Sequence, residues 1–120
     1  MIIFPYIIHR KGATSANKDE YGVIPGNMKD GSFIVKGKGC SESLCSSSHG
    51  AGRVLSRKEA KQKLNLDEFN QTMQGIVTNH TKKMLDESPK AYKDIFEVMR
   101  LQNDMVEIVE HIRPILNIKG

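Results

Sequence analysis

A single histidine, His49, stands between a run of three serines and a Gly-Ala-Gly in the stretch Cys45 to Arg53, CSSSHGAGR. A neutral imidazole can act as a nucleophile when one ring nitrogen faces an electrophile and the other is held by a hydrogen bond. The neighbours suggest which electrophile. Gly50 and Gly52 lack a Cβ, so their N–H groups can approach an anion closely, and Ser46, Ser47, Ser48 and Arg53 are potential donors to the same anion. Attack on a phosphorus atom held in this cradle is one reading, and a histidine that merely hydrogen-bonds within a turn is the other. The residues of the stretch leave both open.

Other constellations are weaker. Cys40, Cys45 and His49 are zinc-type ligands, but a closed site needs a fourth and the C-x4-C spacing matches no common finger. No metal ligands are therefore expected in this chain. Gly37-Lys38-Gly39 lacks the spacing of a phosphate-binding P-loop, and GAGRVL has Leu55 where a dinucleotide fingerprint needs its third glycine. Nothing recommends a Ser-His-Asp triad. His80 and His111 stand in polar surroundings and are read as surface residues. Two cysteines without a second pair suit a reducing cytoplasm better than a disulfide scaffold.

The elements that must position His49 divide by composition. Residues 1–63 carry 11 Lys and Arg against 5 Asp and Glu, a net of +6, whereas residues 64–120 carry 7 against 9, a net of −2. Eight of the ten glycines fall within the first 52 residues. A basic, glycine-rich front suits a polyanion approached by backbone, and equally a solvated lysine surface. No run of about 18 apolar residues exists, and the short apolar opening MIIFPYII reads as a buried strand, not a signal peptide.

From Ile2 to Val35, short apolar runs alternate with turn residues and read as strands. Helical periodicity begins at Ser56, where SRKE forms a capping box with Glu59 and opens a short helix. LDEFNQTMQGIV predicts a second helix with Leu66, Phe69 and Met73 on one face. SPKAYKDIFEVM predicts a third, capped by Ser88 with Pro89 at its first position and Tyr92, Ile95, Phe96 and Met99 as its stripe. MVEIVEHI fits helix spacing and partly fits strand alternation, and Pro114 ends it. ILNIKG is read as a closing strand. The expected class is α+β, with a glycine-rich strand and loop half at about 1–55, a helical half at about 56–113 and a final strand at 114–120.

Six ordered motifs then weigh in favour of the nucleophile. HRKGAT (His9–Thr14), GVIPGNM (Gly22–Met28), GSFIVKGKG (Gly31–Gly39), ESLCSSSHGAGRVLSRKEAK (Glu42–Lys61), AYKDI (Ala91–Ile95) and the terminal Lys119-Gly120 resemble the C-terminal part of the RtcB family of tRNA-splicing RNA ligases across essentially the whole chain. The resemblance implies β-sheets packed between helices. It also implies a GTP- and manganese-dependent reaction that joins RNA ends bearing a 3′-phosphate or 2′,3′-cyclic phosphate to 5′-hydroxyl ends. In such enzymes the histidine of the SHGAG motif, His49 here, takes GMP from GTP and passes it to the RNA 3′-phosphate. Pro25, Gly26, Asn27, Met28 and Ser32 are then expected at the guanylate, with Gly50, Ala51 and Gly52 beside its phosphate and Lys119 at its base. Tyr92 lines the same pocket by resemblance, though a core position on its helix stripe accounts for it equally well. Arg10, Lys11 and Arg53 are candidate contacts to phosphate or RNA.

Three residues depart from the family pattern. Asn27 stands where serine is usual, Ser47 stands at the second cysteine of CSCSHGAG, and Ser15 replaces an arginine that often follows KGAT. The resemblance also implies that the manganese ligands lie upstream of HRKGAT. The chain is accordingly expected to be the C-terminal segment of such a ligase, inactive by itself, either as a truncated gene product or as one half of a split enzyme whose upstream polypeptide carries those ligands. The alternative is a non-catalytic remnant that binds nucleotide or RNA.

Overall fold

The computed structural model describes residues 7–78 and 81–118. The opening apolar run and Lys119 therefore fall largely or wholly outside the described residues, as does His80. Within them the chain is α+β. Its strands are β1 (Ala13–Ser15), β2 (Tyr21–Asn27), β3 (Gly31–Gly37), β4 (Ser46–Ser48) and β5 (Val106–Ile112), and its helices are α1 (Arg57–Lys63), α2 (Leu66–Thr72) and α3 (Ile95–Leu101). One antiparallel sheet has the order β2-β3-β5, and β1 pairs with β4 in a second.

The β2–β3 hairpin follows from its turn chemistry. The Asn27 side-chain oxygen accepts from the N–H groups of Lys29 and Asp30 at 2.9 and 2.8 Å, an Asx turn that mimics a backbone turn. Gly31 then reverses the chain at φ +82°. Asn27 thus does here what a serine could do only more weakly. Alternation along the strands turns Ile24, Phe33, Val35 and Val106 to one face, where Ile95 and Met99 of α3 cover them and Ala51 joins the cluster. A second core gathers Phe69 and Met73 of α2, Met84, Leu85 and Met28. Met28 directly follows β2, so Pro25 to Met28 is anchored in both cores.

The capping box forms as the sequence predicts: Ser56 accepts from the Glu59 N–H and Glu59 reaches back to the Ser56 N–H. The second helix begins at Leu66 as expected but stops at Thr72, before Gly75 at φ +86°.

The expected helix over residues 88–99 is not continuous. Ser88 and Pro89 open only a 3-10 turn through Ala91. The chain then extends so that Tyr92 pairs with Arg53 and the Lys93 N–H donates to Gly52 at 2.9 Å. Asp94 caps α3 afresh, its side chain accepting from Phe96 at 3.0 Å. Tyr92 therefore belongs to no helix stripe. Periodicity counted residues on one face but carried no sign that the intervening backbone is needed by another strand.

MVEIVEHI resolves as strand β5, paired with β3 from Gly37↔Val106 to Ser32↔Ile112. The segment expected to be helical to residue 113 thus returns to the sheet of the front half. The expected closing strand is reduced to one parallel bridge, Val77↔Leu116, with Val77 donating to Ile115 and Asn117 to Val77.

Candidate functional site

A cleft of about 640 Å³ opens among the β2–β3 hairpin, the loop after β4 and the segment after β5. Its volume lies within the roughly 300–1,000 Å³ usual for small-molecule sites. One wall is built by Pro25, Gly26, Asn27, Met28 and Ser32, and the facing wall by His49, Gly50, Ala51, Gly52 and Arg53. Tyr92 completes it. Pro25 to Met28 and His49 to Arg53, more than 20 residues apart in sequence, thus face one another across one cleft. Register explains part of this, because Pro25, Ser32 and Ile112 occupy one rung across the sheet and all three line the cleft.

The Gly-Ala-Gly alternation decides how His49 is presented. Ala51 is only 4% exposed and plugs the first core, whereas His49 is exposed at the cleft. A Cβ on Gly50 would stand 3.3 Å from the Pro25 carbonyl oxygen, so the loop lies directly against β2. Gly52 takes φ +77°, and a Cβ there would meet the Lys93 side chain at 3.7 Å. The absent Cβ thus lets the loop lie close to Pro25 at Gly50 and to Lys93 at Gly52. The His49 N–H donates to Gly12 at 3.3 Å. His49 thus stands exposed on a cleft wall that its flanking glycines keep free of side-chain bulk.

Arg53 is at the cleft but already engaged. It donates to the Asp86 carbonyl at 2.7 Å, to Glu87 at 3.0 Å and to the Tyr92 hydroxyl at 2.9 Å, and its guanidinium lies 4.6 Å from the Tyr92 ring centre. The Tyr92 hydroxyl donates to the other Glu87 oxygen at 2.8 Å. Burial, then this bond to Glu87, holds the Tyr92 phenol above the usual tyrosine range. Arg57 adds a second cation at Glu87 and meets Asp86 at 3.0 Å.

Glu87 also lines the cleft, and sequence reasoning missed it. An acidic residue before Ser-Pro carries no periodic signal, and its partners are more than 30 residues away in the case of Arg53. Replacing Glu87 with glutamine leaves a partly buried Arg53 with neutral acceptors alone, the Asp86 carbonyl, the Tyr92 hydroxyl and the new amide. The expected cost is about 1–3 kcal/mol of stability, measured by urea unfolding, because Tyr92 and Arg53 lose their common anchor. Unchanged unfolding would contradict this role.

Several expected donors do not reach the cradle. Ser46 donates to the Leu44 carbonyl at 3.1 Å, buried Ser47 to the Ser48 carbonyl at 3.3 Å, and the Ser48 hydroxyl accepts from Gln102 at 2.8 Å. The three serines form β4 and are spent on pairing with β1. Arg10 is bound to the Ser46 hydroxyl at 2.8 Å and to the Leu44 and Cys45 carbonyls, and Lys11 is exposed. Neither lines the cleft. His111 is not a surface residue. It stacks on Phe33 at 4.5 Å and contacts the Asp30 carbonyl at 2.5 Å, which gives it a packing role. Among the described residues, no three His, Cys, Asp or Glu side chains converge as a metal site. The cleft's far rim is tied by Asn117, which donates to the Met28 carbonyl at 2.8 Å just before Lys119.

A family model described as tRNA-splicing ligase RtcB matches residues 4–120. The chain is 44% identical over 113 residues to the RNA-splicing ligase RtcB of Escherichia coli strain K12, covering 94% of this chain and 28% of that protein. It is 38% identical over 135 residues to the tRNA-splicing ligase RtcB of Nanoarchaeum equitans, covering 95% and 28%. With the RNA-splicing ligase RtcB of Mycobacterium tuberculosis it shares 30% over 132 residues, covering 94% and 31%. The chain thus spans under a third of the length of these relatives. With the family model covering nearly every residue, and the family's motifs meeting in one cleft, the chain belongs to the RtcB family.

Proposed function

We propose that this chain supplies the nucleotide-accepting part of a GTP-dependent RNA ligase. An unprotonated ring nitrogen of His49 attacks the α-phosphorus of GTP, the bond to the bridging oxygen breaks, and pyrophosphate leaves with that oxygen. The adduct holds GMP through a phosphorus–nitrogen bond. GMP then passes to the RNA 3′-phosphate, and the 5′-hydroxyl attacks the activated phosphorus and expels GMP. In this scheme Gly50 and Gly52 turn backbone toward the transferring phosphate, Pro25 to Met28 and Ser32 hold the nucleoside, and Lys119 meets the base. The observation that carries the reading is the convergence of His49, its glycines and the Pro25–Met28 segment on one cleft.

Manganese, when bound, supplies charge stabilisation at the phosphoryl oxygens. We assign its ligands to the part of the family's fold upstream of HRKGAT, as the resemblance implies. Exposed apolar side chains on both outer strands, Tyr21 and Val23 on β2 and Val109 and Ile112 on β5, suit a segment that works against further protein. No described helix is long and apolar enough to cross a membrane.

The test is reconstitution. The chain is mixed with the upstream portion of a relative, GTP, manganese and RNA ends bearing a 3′-phosphate and a 5′-hydroxyl. Joined product is expected only when both polypeptides are present. Robust joining by the 120-residue chain alone would overturn the division of labour, and no joining by the pair, where the intact relative succeeds, would favour a binding remnant. RNA binding is expected to weaken steeply with salt, because each neutralised phosphate releases condensed counterion. A flat response from low to high salt would remove the basic front half from the RNA contact.

A further inference from the structure

The residue before the proposed nucleophile is braced from the far side of the fold. β4 has three residues and, among the described residues, pairs with β1 along one edge. On its other edge the Ser48 N–H points to the side chain of Gln102, which accepts from it at 2.9 Å and donates to the Ser48 hydroxyl at 2.8 Å. Gln102 is 5% exposed and sits at the end of α3, with its amide 3.6 Å from the Met99 sulfur. Its carbonyl accepts from Met105 at 3.0 Å and Val106 at 3.3 Å, which starts β5. One primary amide thus bonds to β4 on the edge where no described strand pairs with it. It also ties the His49 loop to α3 and β5 across 54 residues of sequence.

We infer that Gln102 is a positioning residue for His49. The inference rests on reading His49 as the nucleophile. Carboxamide chemistry suits the place: Ser48 offers one donor and one acceptor, and a buried primary amide matches both. An aliphatic side chain of equal length leaves the Ser48 N–H without its partner at an open edge. The two residues flanking that bond then loosen, and an imidazole that must approach phosphorus in line loses its fixed aim.

Amide hydrogen exchange on the chain without GTP provides the first arm. In Gln102→Met, Ser48 is expected to exchange at least about tenfold faster while β3 amides stay within about threefold of wild type. Gln102→Glu, whose carboxyl can still accept from the Ser48 N–H, is expected to restore protection. Should Gln102→Met not fold, Gln102→Asn shortens the reach and is read in the same way. The second arm is guanylate transfer by the reconstituted pair, where the rate is expected to fall at least about tenfold with half-saturating GTP within about threefold of wild type. Unchanged exchange at Ser48, uniform loosening of all amides, or local loosening with an unchanged transfer rate each overturns the inference. If the wild-type pair itself forms no adduct, the reading of His49 fails, and the exchange arm still decides whether Gln102 braces the loop.

Discussion

A His49→Ala chain is expected to form no guanylate adduct and to join no RNA with its upstream partner, while folding normally. His49 is exposed on a loop whose anchor is Ala51, so truncating the imidazole should change stability by no more than about 0.5 kcal/mol. Loss of transfer cannot then be blamed on loss of structure. The step demands a nitrogen at that position, and neither cleft glycine nor the engaged Arg53 offers a substitute nucleophile. Removing a covalent nucleophile typically costs a thousandfold or more, roughly 4 kcal/mol in the barrier. The wild-type adduct is expected to be acid-labile and to survive alkali, as a phosphorus–nitrogen bond to imidazole should. Melting temperature and intact mass measured on the same preparation separate folding from chemistry.

Gly31→Ala is expected to abolish the fold instead. Gly31 sits at φ +82°, which costs an alanine about 1 kcal/mol in the left-handed region. The larger obstacle is contact: a Cβ there would lie 2.0 Å from the Ile112 carbonyl oxygen and 3.0 Å from Pro114 Cδ. Both belong to the end of β5 and its exit, and Ile112 pairs with Ser32, the next residue along β3. Backbone oxygen cannot step aside as a flexible side chain could, so the β3–β5 rung must open and take the cleft wall with it. Against a typical total stability of about 5–15 kcal/mol, a loss of several kcal/mol leaves little folded protein. Gly12→Ala is the matched control. Its φ is +73° and nothing lies within 4 Å of a Cβ, so only the backbone cost of about 1 kcal/mol applies. Circular dichroism and thermal melts of the two variants should differ sharply, and a Gly31→Ala protein as stable as Gly12→Ala would contradict the packing described here.

Local chemistry was legible in the sequence wherever a short-range rule governed it. The Ser56–Glu59 capping box formed as read, and so did the strands and turn that became β2 and β3, because cap and turn residues act within four positions of one another. The cleft wall was legible through motifs. What failed was long-range: Tyr92 matched a helix stripe, yet its backbone is pulled straight by Arg53, and the Lys93 N–H by Gly52. β5 carried both periodicities, and pairing with β3 chose between them. Glu87 and Gln102 were invisible because polar side chains act through partners 34 and 54 residues away. The serines before His49 misled for the same reason, since pairing with β1 and the bond to Gln102 claim the groups that a local reading assigned to an anion.

The most direct test of the central claim is to locate the guanylate. The chain, its upstream partner, manganese and GTP are incubated, the chain is digested under alkaline conditions, and the peptides are sequenced by mass spectrometry. A GMP increment confined to His49 is the expected result. An increment on Lys11, on Lys119 or only on the upstream polypeptide would contradict the account.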